Sequence, residues 1–449
     1  MSRIFFSGIG GSGVSAIASF AADRGHTVTG SDRLFDRKPD HPICNILKNK
    51  GIRIVPQDGA GIDASLDFAV FSTAVEDDQP EMIRAREKGI PVKRRPEYLS
   101  ELVTEFNTVA VAGTSGKSTS AGMLAFLLDR LGFGPNYIGG GRVKQFKGGC
   151  ELGNALAGNS DLLVVEACES DGSIVNYRPL HSIIANLALD HNPIGRTAGM
   201  FENLAENTKG VVLINRDDPN LSRCSFRKSV GFSVDTVSEY QARDVVLHPF
   251  GTSFGLCDVA FSLSLPGKYN LYNALSCISM LSEMGISLED IARLLPDFSG
   301  IERRFDIHLN DGRHLVVDDY AHNPHKISSL MQAVMAIRRR VCYIFQPHGF
   351  GPVRLMKEGY ITTFIRNLRG EDHLMLLPIY YAGGTSIKDI SSEDLSDEIR
   401  KGGKPAEVLR ERTLLFQRLN EWDSYVVFGA RDESLSDFAR EIALALKGQ

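Results

Sequence analysis

Lys117 lies in the segment Val111-Ala112-Gly113-Thr114-Ser115-Gly116-Lys117-Ser118-Thr119, between an apolar run and a helical pattern. The residue types suit phosphate. The Lys117 ammonium can reach terminal phosphates and the Ser118 hydroxyl can ligate Mg²⁺, while the loop from Gly113 through Thr114, Ser115 and Gly116 to Thr119 offers backbone amides to oxygens. Val111 replaces the first glycine of the general GxxxxGK[ST] pattern, but Gly116-Lys117-Ser118 keeps the parts with defined tasks. A lysine between glycines at a strand-to-helix turn has little packing value, which favours the phosphate reading.

A second glycine loop, Gly8-Ile9-Gly10-Gly11-Ser12-Gly13, also joins a strand to a helix, with Asp32 at the end of the following strand. Small residues there let backbone N–H groups approach a pyrophosphate at a helix N-terminus, and that physics serves UDP as well as NAD. Acidic groups form a third constellation. Glu166-Ala167-Cys168-Glu169-Ser170-Asp171 ends one apolar strand and Asp190-His191 follows the next. Carboxyl ends of parallel strands are where open α/β sheets bind ligands. Glu166 and Ser118 are natural oxygen ligands for Mg²⁺, and His191 suits a second ion.

The elements that must position these groups are strands buried on both faces. Apolar runs of about five to seven residues alternate with helical patterns along the chain, which predicts an α/β protein with parallel sheets. With 449 residues the chain exceeds one ordinary core. Three units are expected: 1–103, Rossmann-like; 104–302, a P-loop ATPase-type domain with a parallel or mixed sheet; and 303–449, Rossmann-like again. Gly300-Ile301-Glu302-Arg303-Arg304-Phe305 suits the hinge before the third.

Composition narrows the partners. A formal net charge of −5 gives no basic excess for gripping nucleic acid. No window approaches the roughly eighteen apolar residues that cross a bilayer, and the chain opens directly into a strand, so no membrane partner and a cytoplasmic location are expected. Cys44, Cys150, Cys168, Cys224, Cys257, Cys277 and Cys342 are scattered without a CxxC pair. That excludes a disulfide framework and predicts mostly buried small side chains.

Taken together the motifs resemble the Mur ligases of peptidoglycan synthesis, over nearly the whole chain. Gly8–Ser15, Gly30-Ser31-Asp32 and Ser72-Thr73-Ala74-Val75 are similar to that family's UDP-binding domain. Gly113–Ser118 matches its GTxGK[ST] loop, and Glu166–Asp171 its EADESD segment with Cys168 in place of the first aspartate. Pro266–Ala274 resembles its adenine-contacting PGxHNxxNA segment, with Tyr269 in place of histidine, and Asp318–Pro324 resembles DDYGHHP.

The resemblance implies an ATP-dependent, Mg²⁺-requiring ligase that activates the carboxylate of UDP-N-acetylmuramate as an acyl phosphate and joins it to an amino acid or short peptide, with L-alanine the first expectation. It implies catalytic roles for Lys117, Glu166, His191, His322 and His348. ATP contacts fall on Gly113–Thr119, Asn270, Asn273, Arg304 and Asp319, and metal contacts on Ser118, Glu166 and His191. Substrate contacts fall on Gly8, Gly10, Gly11, Ser12, Gly13, Ser31, Asp32, Ser72, Thr73, Tyr320 and Arg354. A monomer or homodimer is expected.

The chain departs from the alanine-adding pattern QPHRYTRTR, reading Gln346-Pro347-His348-Gly349-Phe350-Gly351-Pro352-Val353-Arg354. Arginine is the usual bidentate partner of a carboxylate. Its loss at Gly349 leaves open a recycling ligase that takes a whole tripeptide, another amine, or a protein without catalysis.

Overall fold

The computed structural model describes residues 1–190, 192–381 and 387–448. The chain divides into two compact units, one of Met1–Val246 with Thr252–Ile301 and one of Leu247–Gly251 with Glu302–Gln449. The hinge segment contains that division. The first two expected units therefore form one body, each with a sheet of its own.

The first sheet runs Arg53–Ile54, Thr27–Ser31, Arg3–Ser7, Phe68–Phe71, Val92–Arg94, all parallel. Chain order reverses between Arg3–Ser7 and Phe68–Phe71, which opens a crevice at their carboxyl ends. Ile4, Phe5 and Phe6 are wholly buried because helices cover both faces. Each such side chain contributes about 1.5–3 kcal/mol on burial.

The second sheet runs Ala155–Leu156, Asn136–Ile138, Leu162–Glu166, Asn107–Ala112, His181–Ile184, Val212–Asn215, Ser229–Ser233, Tyr240–Gln241. Only the Ala155–Leu156 pairing is antiparallel. Helix Lys117–Arg130 is buried almost all round, packed against this sheet and against helix Lys268–Glu283, which lies on the same sheet. Small residues let the helices meet: Ser276 Oγ donates to Ser120 Oγ at 3.4 Å and Cys277 Sγ to the Ser120 carbonyl at 3.2 Å. A three-stranded sheet, Arg243–His248, Gly251–Leu256, Val259–Leu263, was not foreseen.

In the second unit the sheet runs Asp306–Asn310, Leu315–Asp319, Ser424–Phe428, Val341–Phe345, His373–Leu376, Ala406–Val408. The first pair is antiparallel and the rest are parallel. Ser424–Phe428 inserts between strands earlier in sequence, so the loops after Asp319 and Phe345 leave the sheet on either side of it. Burial of the cysteines is less general than expected: Cys44, Cys277 and Cys342 are buried, Cys150, Cys168 and Cys224 half-buried, and Cys257 exposed. Among the described residues no helix is long and apolar enough to cross a membrane.

Candidate active site

Gly116 precedes the helix at φ 79°, a left-handed conformation that glycine adopts without strain. A Cβ there would lie 2.3 Å from Asn273 Oδ1. The turn brings Lys117 back over its own loop, where Nζ donates to the Gly113 carbonyl at 2.6 Å and to Glu169 Oε2 at 2.9 Å. Burial alone would push the Lys117 ammonium down, but Glu169, Cys168 and Glu166 outweigh it and hold the group above its ordinary value. Lys117 is therefore a charged, pre-aimed donor.

Ser118 Oγ lies 3.0 Å from each oxygen of Glu166, and Gly140 N donates to Glu166 Oε2 at 2.8 Å. These distances bring the P-loop and the acidic segment together, as their positions at neighbouring strand ends require. Burial raises the Cys168 thiol against the opposing pull of Lys117.

Asn186, which sequence reasoning passed over, clamps the same loop. Its Oδ1 accepts from Thr114 Oγ1 at 2.9 Å and Ser115 N at 2.8 Å, and its Nδ2 donates to the Ser115 carbonyl at 2.9 Å. Asn270 and Asn273 are buried behind the loop. Asn273 Nδ2 donates to Asn270 Oδ1 at 3.2 Å, Asn273 Oδ1 accepts from Ser120 Oγ at 3.2 Å, and Asn270 Nδ2 donates to the Pro266 carbonyl at 2.8 Å. Asn273 thus ties helix Lys268–Glu283 to the P-loop helix, and Asn270 holds Asn273 in place. His191 lies outside the described residues. Thr119 is buried at the start of the P-loop helix.

At the other glycine loop, Gly8 and Ile9 donate to the Ser31 carbonyl at 2.9 and 3.0 Å. Asp32 accepts from Gly10 N and Leu34 N, each at 2.8 Å, so its carboxylate shapes the loop. Gly11 and Ser12 are exposed at the mouth, with Gly13 behind them. Ser72 N donates to the Ser7 carbonyl at 3.0 Å, and Thr73 beside it is exposed. Beneath the crevice Glu81 is fully buried; Ser7 Oγ donates to it at 2.5 Å, and burial raises its carboxyl.

In the second unit, His322 and His348 rings stand edge to face with centroids 5.5 Å apart, and Tyr320 lies 5.6 Å from His322. Their strand ends, on either side of Ser424–Phe428, bring them together. The Arg304 guanidinium lies 4.7 Å over the Tyr320 ring. Asp319 accepts from Phe305 N and Ala321 N, both at 2.7 Å, which fixes the left-handed backbone of Phe305. Burial raises its carboxyl. Arg354 is engaged by Asp389 and by the Ile387 carbonyl at 3.1 Å, so its guanidinium already has a carboxylate partner.

A glycine-loop Rossmann sheet, a P-loop domain with facing acidic residues and a third α/β sheet are the parts of a Mur ligase, and the chain belongs to that family. Residues 3–107 match the Mur ligase family catalytic domain, 111–281 the Mur ligase middle domain, and 303–443 the Mur ligase glutamate ligase domain. Among its relatives, the UDP-N-acetylmuramate–L-alanine ligase of Persephonella marina is 34% identical over 89% of this chain and 86% of its own length. That of Syntrophotalea carbinolica is 33% identical over 89% and 88%. The crystal structure of the UDP-N-acetylmuramate–alanine ligase of Thermotoga maritima superposes with a TM-score of 0.82 at 26% identity, covering all of both chains. A murein peptide ligase from Psychrobacter arcticus shares the fold, with a TM-score of 0.71 at 21% identity over 100% of this chain and 99% of its own.

Proposed function

We propose that the protein joins the carboxylate of UDP-N-acetylmuramate to the amine of L-alanine at the expense of ATP. The observation that carries the reading is the pairing of Lys117 with Glu169 beside that of Ser118 with Glu166, in the same unit as the Gly8–Gly13 loop. Likeness to the alanine-adding relatives supports the choice of substrates.

In this reading ATP phosphates lie on the amides of Gly113–Thr119, and Lys117 neutralises charge on the phosphoryl group in transfer. A carboxylate oxygen of the sugar acid attacks the γ-phosphorus as the bond to ADP breaks, giving an acyl phosphate. The amine then attacks the acyl carbon, phosphate leaves, and the amine loses its extra proton. His322 and His348 take the amine-handling role, while the Gly8–Gly13 amides and Ser72 receive the diphosphate of the sugar nucleotide.

Mg²⁺ fits the donor set. It takes one or two protein oxygens and completes its shell with water and phosphate oxygens, so the absence among the described residues of a cluster of three or more His, Cys, Asp and Glu is no obstacle. Ser118 and Glu166 would hold it, supplying charge to the phosphates.

A tripeptide acceptor is the second reading, favoured by Gly349 at the start of helix Phe350–Asn367 and by the pairing of Arg354 with Asp389. The shared chemistry is tested with UDP-N-acetylmuramate carrying ¹⁸O in its carboxylate. Appearance of one ¹⁸O in the released phosphate is expected, and phosphate free of label would overturn the acyl-phosphate route.

A further inference from the structure

Arg95 opens helix Arg95–Glu105, at the carboxyl end of the last strand of the first sheet. Its Nη2 donates to Asp171 Oδ2 at 2.5 Å, across 76 residues of sequence. The two side chains are only 20% and 15% exposed, so water screens the pair less than an ordinary surface ion pair.

The other edge of the guanidinium faces the first glycine loop. A Cβ placed on Gly13 would lie 3.4 Å from Arg95 Cδ and 3.7 Å from both Nε and Nη1. Arg95 therefore packs beside Gly13, at the helix N-terminus that offers amides to an anion. Asp171 is equally placed between structures. Its Oδ1 accepts from Ser173 N at 3.0 Å and Ser173 Oγ at 2.6 Å. Two residues earlier, Glu169 holds Lys117.

One guanidinium thus touches the nucleotide-sugar loop on one side and the segment that aims the P-loop lysine on the other. We propose that Arg95 and Asp171 are a positioning pair that couples occupancy of the Gly8–Gly13 loop by a nucleoside diphosphate to the affinity of the P-loop for ATP. The idea rests on the proposed function. An anion on the loop attracts the Nε and Nη1 edge of Arg95, which alters its hold on Asp171 and so the setting of Glu169 against Lys117. A purely structural ion pair would stabilise the fold without linking the two ligands.

Coupling between sites is reciprocal and ordinarily amounts to about 5–150-fold in affinity. The test is calorimetric titration of the full chain with ATP in the absence and presence of saturating UDP, and the reverse order, for the wild type, Asp171→Asn, Arg95→Gln and the double variant. Wild-type ATP affinity is expected to change at least fivefold with UDP, equally in both orders. In Asp171→Asn the factor is expected to fall within twofold of one, while its separate affinities for ATP and UDP stay within threefold of wild type. Arg95→Gln should lose the coupling too, and the double variant no more than either single.

Thermal melts separate loss of coupling from loss of fold. Wild-type protein that binds UDP and ATP independently, or variants that melt earlier yet keep the wild-type factor, would overturn the pair. Wild-type protein that binds ATP but no UDP would instead overturn the proposed function beneath it.

Discussion

Glu169 holds Lys117 together with the P-loop backbone, with Oε2 2.9 Å from Nζ and the two side chains 3% and 11% exposed. The ammonium is thus charged and oriented without help from a ligand. Removing one preorganised charged donor typically costs about 10²–10³ in rate. Lys117→Ala is expected to lower kcat by at least about that much while leaving UDP affinity within threefold, as measured by steady-state kinetics and calorimetry. Loss of UDP binding together with turnover would contradict it.

Glu169→Gln gives the complementary outcome. Burial depresses the Lys117 ammonium and Glu169 is the largest of the influences that raise it, so the variant's lysine must titrate at lower pH. Its activity should begin to fall on the alkaline side earlier than that of the wild type. Coincident alkaline limbs would show that Glu169 does not set the lysine's charge.

Gly116 meets two constraints at once, a φ of 79° and the approach of Asn273. A left-handed backbone at a residue with a Cβ costs about 1–2 kcal/mol, and the clash adds to it. Gly116→Ala should destabilise the protein by about 2–4 kcal/mol in denaturant melts and weaken ATP binding. Wild-type stability would show that the loop relaxes without cost.

Lys50, at the end of helix Pro42–Asn49, ties helix Ser12–Asp23 to the short strand Glu151–Leu152. Its ammonium, 3% exposed, lies 2.7 Å from Asp23 and 2.5 Å from Glu151. Partial exposure of the carboxylates reduces what the contacts are worth, so Lys50→Ala should cost about 1–3 kcal/mol. Denaturant melts check this, and a change below about 0.5 kcal/mol would mean that water replaces the lysine.

Asp318 contributes to the pH dependence of the second unit. Burial raises its carboxyl to about 6, against the pull of Arg303. The pairing is weak, with Nε 3.3 and 3.4 Å from the two oxygens. A carboxyl raised on folding contributes stability that is full below its unfolded pKa, near 3.8, and is lost as pH rises through about 6. Wild-type stability should therefore decline relative to Asp318→Asn between about pH 4 and 6 and run parallel above. Wild-type stability that rises or stays level relative to Asp318→Asn across that window would contradict the assignment.

What the sequence made legible was local. The P-loop, its lysine and the acidic segment each lie within one stretch of chain, and buried parallel strands appear as continuous apolar runs. The partners that aim these groups are remote. Asn186 is 72 residues from Thr114, Arg95 is 76 from Asp171, and Asn154, whose Nδ2 donates to the Ser12 carbonyl at 2.9 Å, is 142 from it. No spacing rule reaches so far. Strand Arg243–His248 escaped notice because it is largely exposed and its apolar run is only Val245-Val246-Leu247. Asn270 and Asn273 show that a motif's polar residues are packing groups as well: both are buried and bonded within the fold.

The most direct test of the central claim is release of phosphate from ATP by the full chain with UDP-N-acetylmuramate and Mg²⁺, offering L-alanine or L-alanyl-γ-D-glutamyl-meso-diaminopimelate separately. Release that requires both the sugar nucleotide and L-alanine is predicted. Release with the tripeptide alone would move the assignment to a peptide-adding ligase, and no amine-dependent release would contradict the account.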